Sequence, residues 1–156
     1  MHILPCFEQH GDNLAHLICT YRRLAAEYDV VISTGGLGPT DDDRTNESIA
    51  NAFDHPLTQN IVATRELEDH YARRNRTMPD NTRKMTLLPQ GAEYIDNPLG
   101  SACGYKLDLN NEACSIYVFP GVPTELYEMI PLAFPDLIYQ SDALVFATFG
   151  IAESHM

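Results

Sequence analysis

Residues 35–45 read Gly-Gly-Leu-Gly-Pro-Thr-Asp-Asp-Asp-Arg-Thr, directly behind the apolar run Asp29-Val30-Val31-Ile32-Ser33-Thr34. A β-branched strand therefore feeds a glycine-rich turn, and the turn feeds three carboxylates and a helix start. Without a Cβ, Gly35, Gly36 and Gly38 let the backbone bend sharply and approach a ligand closely. Backbone amides in such a turn, beside a helix N-terminus, favour phosphate. Carboxylates next to a phosphate are unfavourable unless a cation lies between them, so the segment implies a divalent metal together with an anion. The glycine spacing is not that of the dinucleotide fingerprint, and no Gly-Lys-Ser/Thr follows to make a P-loop. Glycine turns also close ordinary α/β units and Asp runs are also plain solvated turns, so context has to decide.

The chain has 156 residues, one domain's worth and long enough for a core. Its 22 acidic and 10 basic residues give a formal charge of −12, which speaks against non-specific binding of nucleic acid or an acidic membrane. No run approaches the ~20 apolar residues of a membrane helix, and no secretory leader pattern opens the chain. Cys6, Cys19, Cys103 and Cys114 lack metal-type spacing; they read as reduced, mostly packed thiols of a cytoplasmic protein. The six histidines likewise show no spacing of a metal site.

Along the chain, His2 to Phe7 reads as a strand. A helix follows from about Asp12 to Tyr28, with Asp12 at the N-cap position and Leu14, Leu17, Ile18, Tyr21, Leu24 and Ala25 on one face. Asp29–Thr34 has the near-continuous apolar character of a buried parallel strand. Thr45 can cap a helix carrying Ile49, Ala52 and Phe53 inward. A longer helix after Thr58 ends in the basic Arg73-Arg74-Asn75-Arg76 and is broken by Met78-Pro79-Asp80-Asn81. Strands are expected at Lys84–Leu88, Ala92–Ile95, Gly104–Leu109 and Ser115–Phe119, with Asn110-Asn111 turning a hairpin. A last helix starts at Pro123 and buries Leu126, Met129 and Ile130. This alternation predicts a three-layer α/β fold, a mostly parallel sheet flanked by helices with a small β-rich section. Ligands of such sheets bind at the carboxyl ends of the strands, where the Gly35–Thr40 turn falls.

The separate motifs Gly11-Asp12-Asn13, Thr34–Thr40 with Asp42, Asp43 and Thr45, Met78–Asn81 with Arg83-Lys84, Leu88–Ala92, Asn97–Ala102, Phe119–Glu125 and Phe149–Ser154 stand in one order. Together they resemble the N-terminal domain of the competence/damage-inducible CinA proteins, a branch of the molybdopterin-binding fold shared with molybdenum-cofactor biosynthesis enzymes. The chain departs from that pattern at both ends. It reads as a single domain lacking the family's first strand, with its Gly-Asp-Glu motif, and first helix, and also the C-terminal deamidase domain.

The resemblance implies a metal-dependent hydrolase splitting ADP-ribose-like nucleotide diphosphates into AMP and a sugar phosphate, with Mg²⁺, Mn²⁺ or Co²⁺ and in some members K⁺. Asp12, Asp42 and Asp43 would be catalytic, with Asp42 and Asp43 on the metal, while Asp41 has no counterpart. Thr34, Gly35, Gly36, Leu37, Gly38, Pro39, Thr40, Asn81, Lys84, Asn97, Gly100, Ser101, Gly121 and Pro123 would line the phosphate and nucleotide pocket. Ser101 and Cys103 replace the family's usual threonine and proline. Glu125 also serves to complement a helix dipole. Two alternatives stay open: binding or adenylylation of molybdopterin, a pterin phosphate, and a catalytically silent interaction domain. The implied assembly is a homo-oligomer, a dimer ahead of a trimer, with no nucleic-acid or membrane partner.

Overall fold

The computed structural model describes residues 8–109 and 114–134. The strand expected at His2–Phe7, the turn at Asn110-Asn111 and the motif at Phe149–Ser154 lie outside them. Helix α1 spans Leu14–Glu27, and its cap is Asn13 rather than Asp12: Asn13 Oδ1 accepts from the backbone N–H of His16 at 3.0 Å. Both residue types cap well, and one residue's shift in the start decides between them. Strand β1, Val30–Thr34, follows, then α2, Thr45–Phe53. Thr45 is the first helical residue and not the cap; its hydroxyl is engaged elsewhere.

A short strand β2, Leu57–Gln59, precedes α3, Ile61–Arg73. Asn60 caps α3 by accepting from Ala63 N–H at 3.0 Å. The helix ends where Asn75 takes a left-handed conformation, φ 50°. The strand expected at Lys84–Leu88 is not formed. Asp80–Thr86 is a 3-10 helix, started by Thr82 N–H on the Pro79 carbonyl, and only Leu87–Pro89 is extended as β3. Pro79 fixes an entry that suits a tight turn, and a five-residue apolar alternation is too short to override it. Strands β4, Glu93–Ile95, β5, Gly104–Leu109, and β6, Cys114–Phe119, lead to α4, Pro123–Ala133.

The main sheet has the order β1-β6-β5-β4, and β2 pairs with β3 separately. The sheet is mixed: β1 and β6 run parallel, whereas β6–β5 and β5–β4 are antiparallel. The β-rich stretch accounts for this, since short connections make neighbouring strands antiparallel. Side chains alternate across the sheet. Val31, Tyr105, Leu107, Ile116 and Val118 pack on one face with Tyr21, Ala25, Ile49 and Ala63 of α1, α2 and α3. Ile95 and Phe119 pack on the other face with Leu126, Met129 and Ile130 of α4. Helices therefore lie on both faces, as a three-layer fold requires. β1 is less buried than its composition predicts: Val30 and Ile32 are 50% and 52% exposed, on the face away from Val31. No described helix is long and apolar enough to cross a membrane.

Candidate functional site

The parallel pair β1 and β6 ends level, with Thr34 opposite Phe119. The loops after both strands consequently emerge side by side. The ladder runs one residue further, as Gly35 N–H donates to the Phe119 carbonyl at 2.9 Å. A Cβ on Gly35 would lie 3.9 Å from the Gly121 Cα, so the two glycine turns face each other closely. Because β5 runs antiparallel to β6, its start at Gly104 and the end of β4 at Ile95 reach the same end of the sheet. The Asn97–Cys103 loop is thereby placed there too.

The glycine loop is held from inside. Gly35 and Gly36 have φ of 90° and 67°, values that favour glycine. The Thr45 hydroxyl donates to the Gly35 carbonyl at 2.7 Å, and Thr45 N–H donates to the Gly36 carbonyl at 3.2 Å. Leu37 is 6% exposed and belongs to the core, so its side chain anchors the loop and presents nothing to a ligand. Asp43 Oδ2 accepts from both the backbone N–H of Thr40, at 2.9 Å, and the Thr40 hydroxyl, at 2.6 Å. A Cβ on Gly38 would come within 2.5 Å of that same carboxylate oxygen. Lys84, placed by the 3-10 helix, donates to the Thr40 carbonyl. Asp43, Thr40, Gly38 and Lys84 thus form one knot, with Pro39 between the glycine and the threonine.

Asp41 and Asp42 are exposed beside it. Thr34 Oγ1 is buried at the end of β1 with no hydrogen-bond partner among the described residues. Two helices, α2 and α4, begin at these loops and point their N-terminal ends toward them, an arrangement that favours an anion. Pro123 occupies the first turn of α4, where its missing N–H costs no bond.

The second loop is built differently from its sequence reading. Asn97 Nδ2 donates to the Ala102 carbonyl at 2.7 Å and to Glu125 Oε2 at 2.8 Å, while its Oδ1 accepts from Leu99 and Gly100 N–H. The polar groups of Asn97 and the Gly100 amide are thus occupied within the loop. A Cβ on Gly100 would sit 2.3 Å from Glu125 Oε2, so a side chain there would displace the Glu125 carboxylate from Asn97. Glu125 is the residue the sequence undervalued: it clamps α4 to this loop. Ser101 is half-buried and stands with Tyr94 and Asp96 in a cleft whose other wall is Glu66, His70 and Arg73 of α3. Only the spacing 66, 70, 73 on one helix face could have signalled that wall. Burial and the neighbouring Arg74 and Arg73 charges hold the His70 pKa below its ordinary value.

The side chains of Asp12 and Asn81 are exposed and make no hydrogen bond among the described residues. Among these residues no group of three or more His, Cys, Asp or Glu side chains gathers as a metal site. The donor set at the knot nevertheless suits a hard cation of few protein ligands: Asp42 and Asp43 offer carboxylate oxygens, and substrate phosphate would supply others. Cys103 and Cys114 are buried and form no disulfide among the described residues, whereas Cys19 is exposed.

Loops converging at one end of a mixed sheet, two helix N-termini and a glycine turn tied to an aspartate mark this as an α/β domain with its candidate site at the ends of β1 and β6. The chain belongs to the molybdopterin-binding domain family: residues 5–138 match the family described as "Probable molybdopterin binding domain". Relatives include the CinA-like protein of Shewanella denitrificans, 41% identical over 77% of this chain and 28% of that protein. Another is the CinA-like protein of Shewanella sp. (strain ANA-3), 37% identical over 94% of this chain and 36% of that protein. The chain therefore spans well under half the length of these curated relatives. Among solved structures it resembles the CinA protein of Thermoplasma acidophilum, with a TM-score of 0.72 and 28% identity over 81% of this chain and 73% of the other. These matches bear out the resemblance to the CinA N-terminal domain.

Proposed function

We propose that this domain binds a phosphate-bearing nucleotide at the Gly35–Asp43 loop and hydrolyses its pyrophosphate linkage, with ADP-ribose-like molecules as substrates. The observation that supports this most is the knot of Asp43, Thr40 and Lys84 behind two positive-φ glycines. Amides of the glycine loop and the N-terminal turns of α2 and α4 would hold the phosphates without side-chain rearrangement. Lys84 adds a compact positive charge suited to a phosphate oxygen. Asp42 and Asp43 would hold a divalent cation, Mg²⁺, Mn²⁺ or Co²⁺. When bound, that ion screens phosphate charge and stabilises developing negative charge. Asp43, or Asp12 from the start of α1, would orient the attacking water and accept its proton. The Thr34 hydroxyl, buried without a partner, would donate toward the ligand.

The test is AMP release from ADP-ribose with each cation supplied in turn. We expect release by the wild type and a loss of at least a hundredfold in Asp43→Asn. Equal release by that variant, or none by the wild type with any of the three ions, sinks the hydrolase reading. The family description favours a second reading, a pterin phosphate such as molybdopterin in the same loop. Tight molybdopterin binding without affinity for ADP-ribose would establish it instead.

A further inference from the structure

The segment entering α1 brings together two histidines that the sequence leaves unrelated. His10 Nδ1 lies 2.9 Å from His16 Nε2, and the ring centroids are 4.9 Å apart with the planes at 49°. The separation of six residues is not a helical repeat. It works because Asn13 caps α1 between them, so that His16 in the first helical turn leans back over the incoming chain. His10 Nε2 is 2.9 Å from Glu8 Oε2, and Arg23 Nη2 reaches the same carboxylate at 2.6 and 2.5 Å. Glu8 is ion-paired with Arg23, and a carboxylate in an ion pair accepts hydrogen bonds. In a neutral ring this contact places the His10 proton on Nε2 and leaves the Nδ1 lone pair facing His16.

We propose that His10 and His16 form a two-imidazole site for a borderline divalent transition metal such as Zn²⁺, separate from the Asp42–Asp43 loop. A carboxylate that fixes the tautomer of a histidine and leaves its other nitrogen free is the arrangement that supports metal-ligating histidines. Two nitrogens bound at 2.0–2.1 Å with a tetrahedral angle stand about 3.3 Å apart. The observed pair reaches that by opening a few tenths of an ångström, within the freedom of an exposed first-turn side chain. When the metal enters, the proton between the rings moves to His16 Nδ1, and the Glu8 and Arg23 contacts stay intact. The described residues gather no third His, Cys, Asp or Glu ligand there, so water fills the remaining positions and the site is of modest affinity.

Competition of the full chain against a chromophoric Zn²⁺ chelator near neutral pH tests this, with the visible spectrum of bound Co²⁺ as a second readout. The expected result is one Zn²⁺ equivalent in the wild type. Binding should weaken at least tenfold in each of His10→Ala and His16→Gln, and about tenfold in Glu8→Gln. His55→Ala, a histidine outside both sites, should retain the wild-type affinity. Circular dichroism confirms that each variant keeps its helices. Wild-type affinity in both histidine variants would overturn the assignment. So would the absence of any bound metal in the wild type, or a loss in His55→Ala as large as theirs.

Discussion

The Thr45 hydroxyl donates to the carbonyl oxygen of Gly35 at 2.7 Å and so ties the first turn of α2 to the first residue of the glycine loop. Thr45 is 8% exposed, which leaves the Gly35 carbonyl no easy recourse to water if the donor is removed. Thr45→Val keeps the shape and deletes the donor, and should lower stability by about 1–3 kcal/mol. Thr45→Ser should retain most of it. Urea unfolding of the three proteins measures the difference, and equal midpoints for Val and Thr would show that the bond contributes nothing.

Two glycines in the same loop should respond differently to a methyl group. On Gly36, with φ 67°, the new carbon would also stand 2.3 Å from Thr45 Oγ1, so Gly36→Ala should lower stability itself by about 1–3 kcal/mol. Gly38 is not in the left-handed region, and the three atoms nearest its Cβ would all belong to the Asp43 carboxylate. Gly38→Ala should therefore turn Asp43 away from Thr40, weakening ADP-ribose binding about tenfold with a small change in Tm. Calorimetric titration alongside thermal melts separates the two effects.

Thiol reactivity should divide sharply. Burial pushes the Cys103 thiol up to about 12 from an ordinary value of 9.0, so it carries almost no thiolate near pH 8. Cys114 is also buried, while Cys19 is exposed. Brief alkylation of the native protein followed by peptide mass spectrometry should find Cys19 modified and Cys103 and Cys114 intact. Because the folded pKa of Cys103 is raised, its contribution is complete below about pH 9 and is lost as pH climbs toward 12. Cys103→Ala should accordingly reduce the alkaline loss of stability across that window.

The Tyr105 hydroxyl is fully buried and has no hydrogen-bond partner among the described residues. Removing an unsatisfied polar atom while keeping the ring should help, and Tyr105→Phe should gain up to about 1–2 kcal/mol. A loss exceeding about 1 kcal/mol in urea unfolding would reveal a hydrogen bond to that hydroxyl.

The parts of this fold governed by local pattern are readable before any coordinates. β5 runs Gly104–Leu109 as its alternation predicts, and the Asp29–Thr34 run with its glycine turn forms β1 and the loop as expected. The misreadings arise where local signals tie or where distant contacts decide. Asp12 and Asn13 are equivalent caps by type, and only the helix register chooses Asn13. The Lys84–Leu88 alternation yields to the proline-started 3-10 helix. That change also puts Lys84 against Thr40, forty-four residues away in the chain. The Asn97–Glu125 clamp and the His10–His16 pair are products of packing, and no spacing in the chain encodes them.

The level ending of β1 and β6 has a consequence for synthesis as well as for binding. The loop after Thr34 is seated on Phe119 and faces Gly121, so its shape depends on a strand made much later. A nascent chain that carries every glycine and aspartate of the loop, but not yet β6, has no seat for them. Such non-local strand pairing is slow to form and late in folding. A ligand of the kind proposed above would have no formed loop to guide while the chain still ends before β6. It can act only as a latch on a molecule already assembled, and shortened translation products ending before Phe119 would be blind to it.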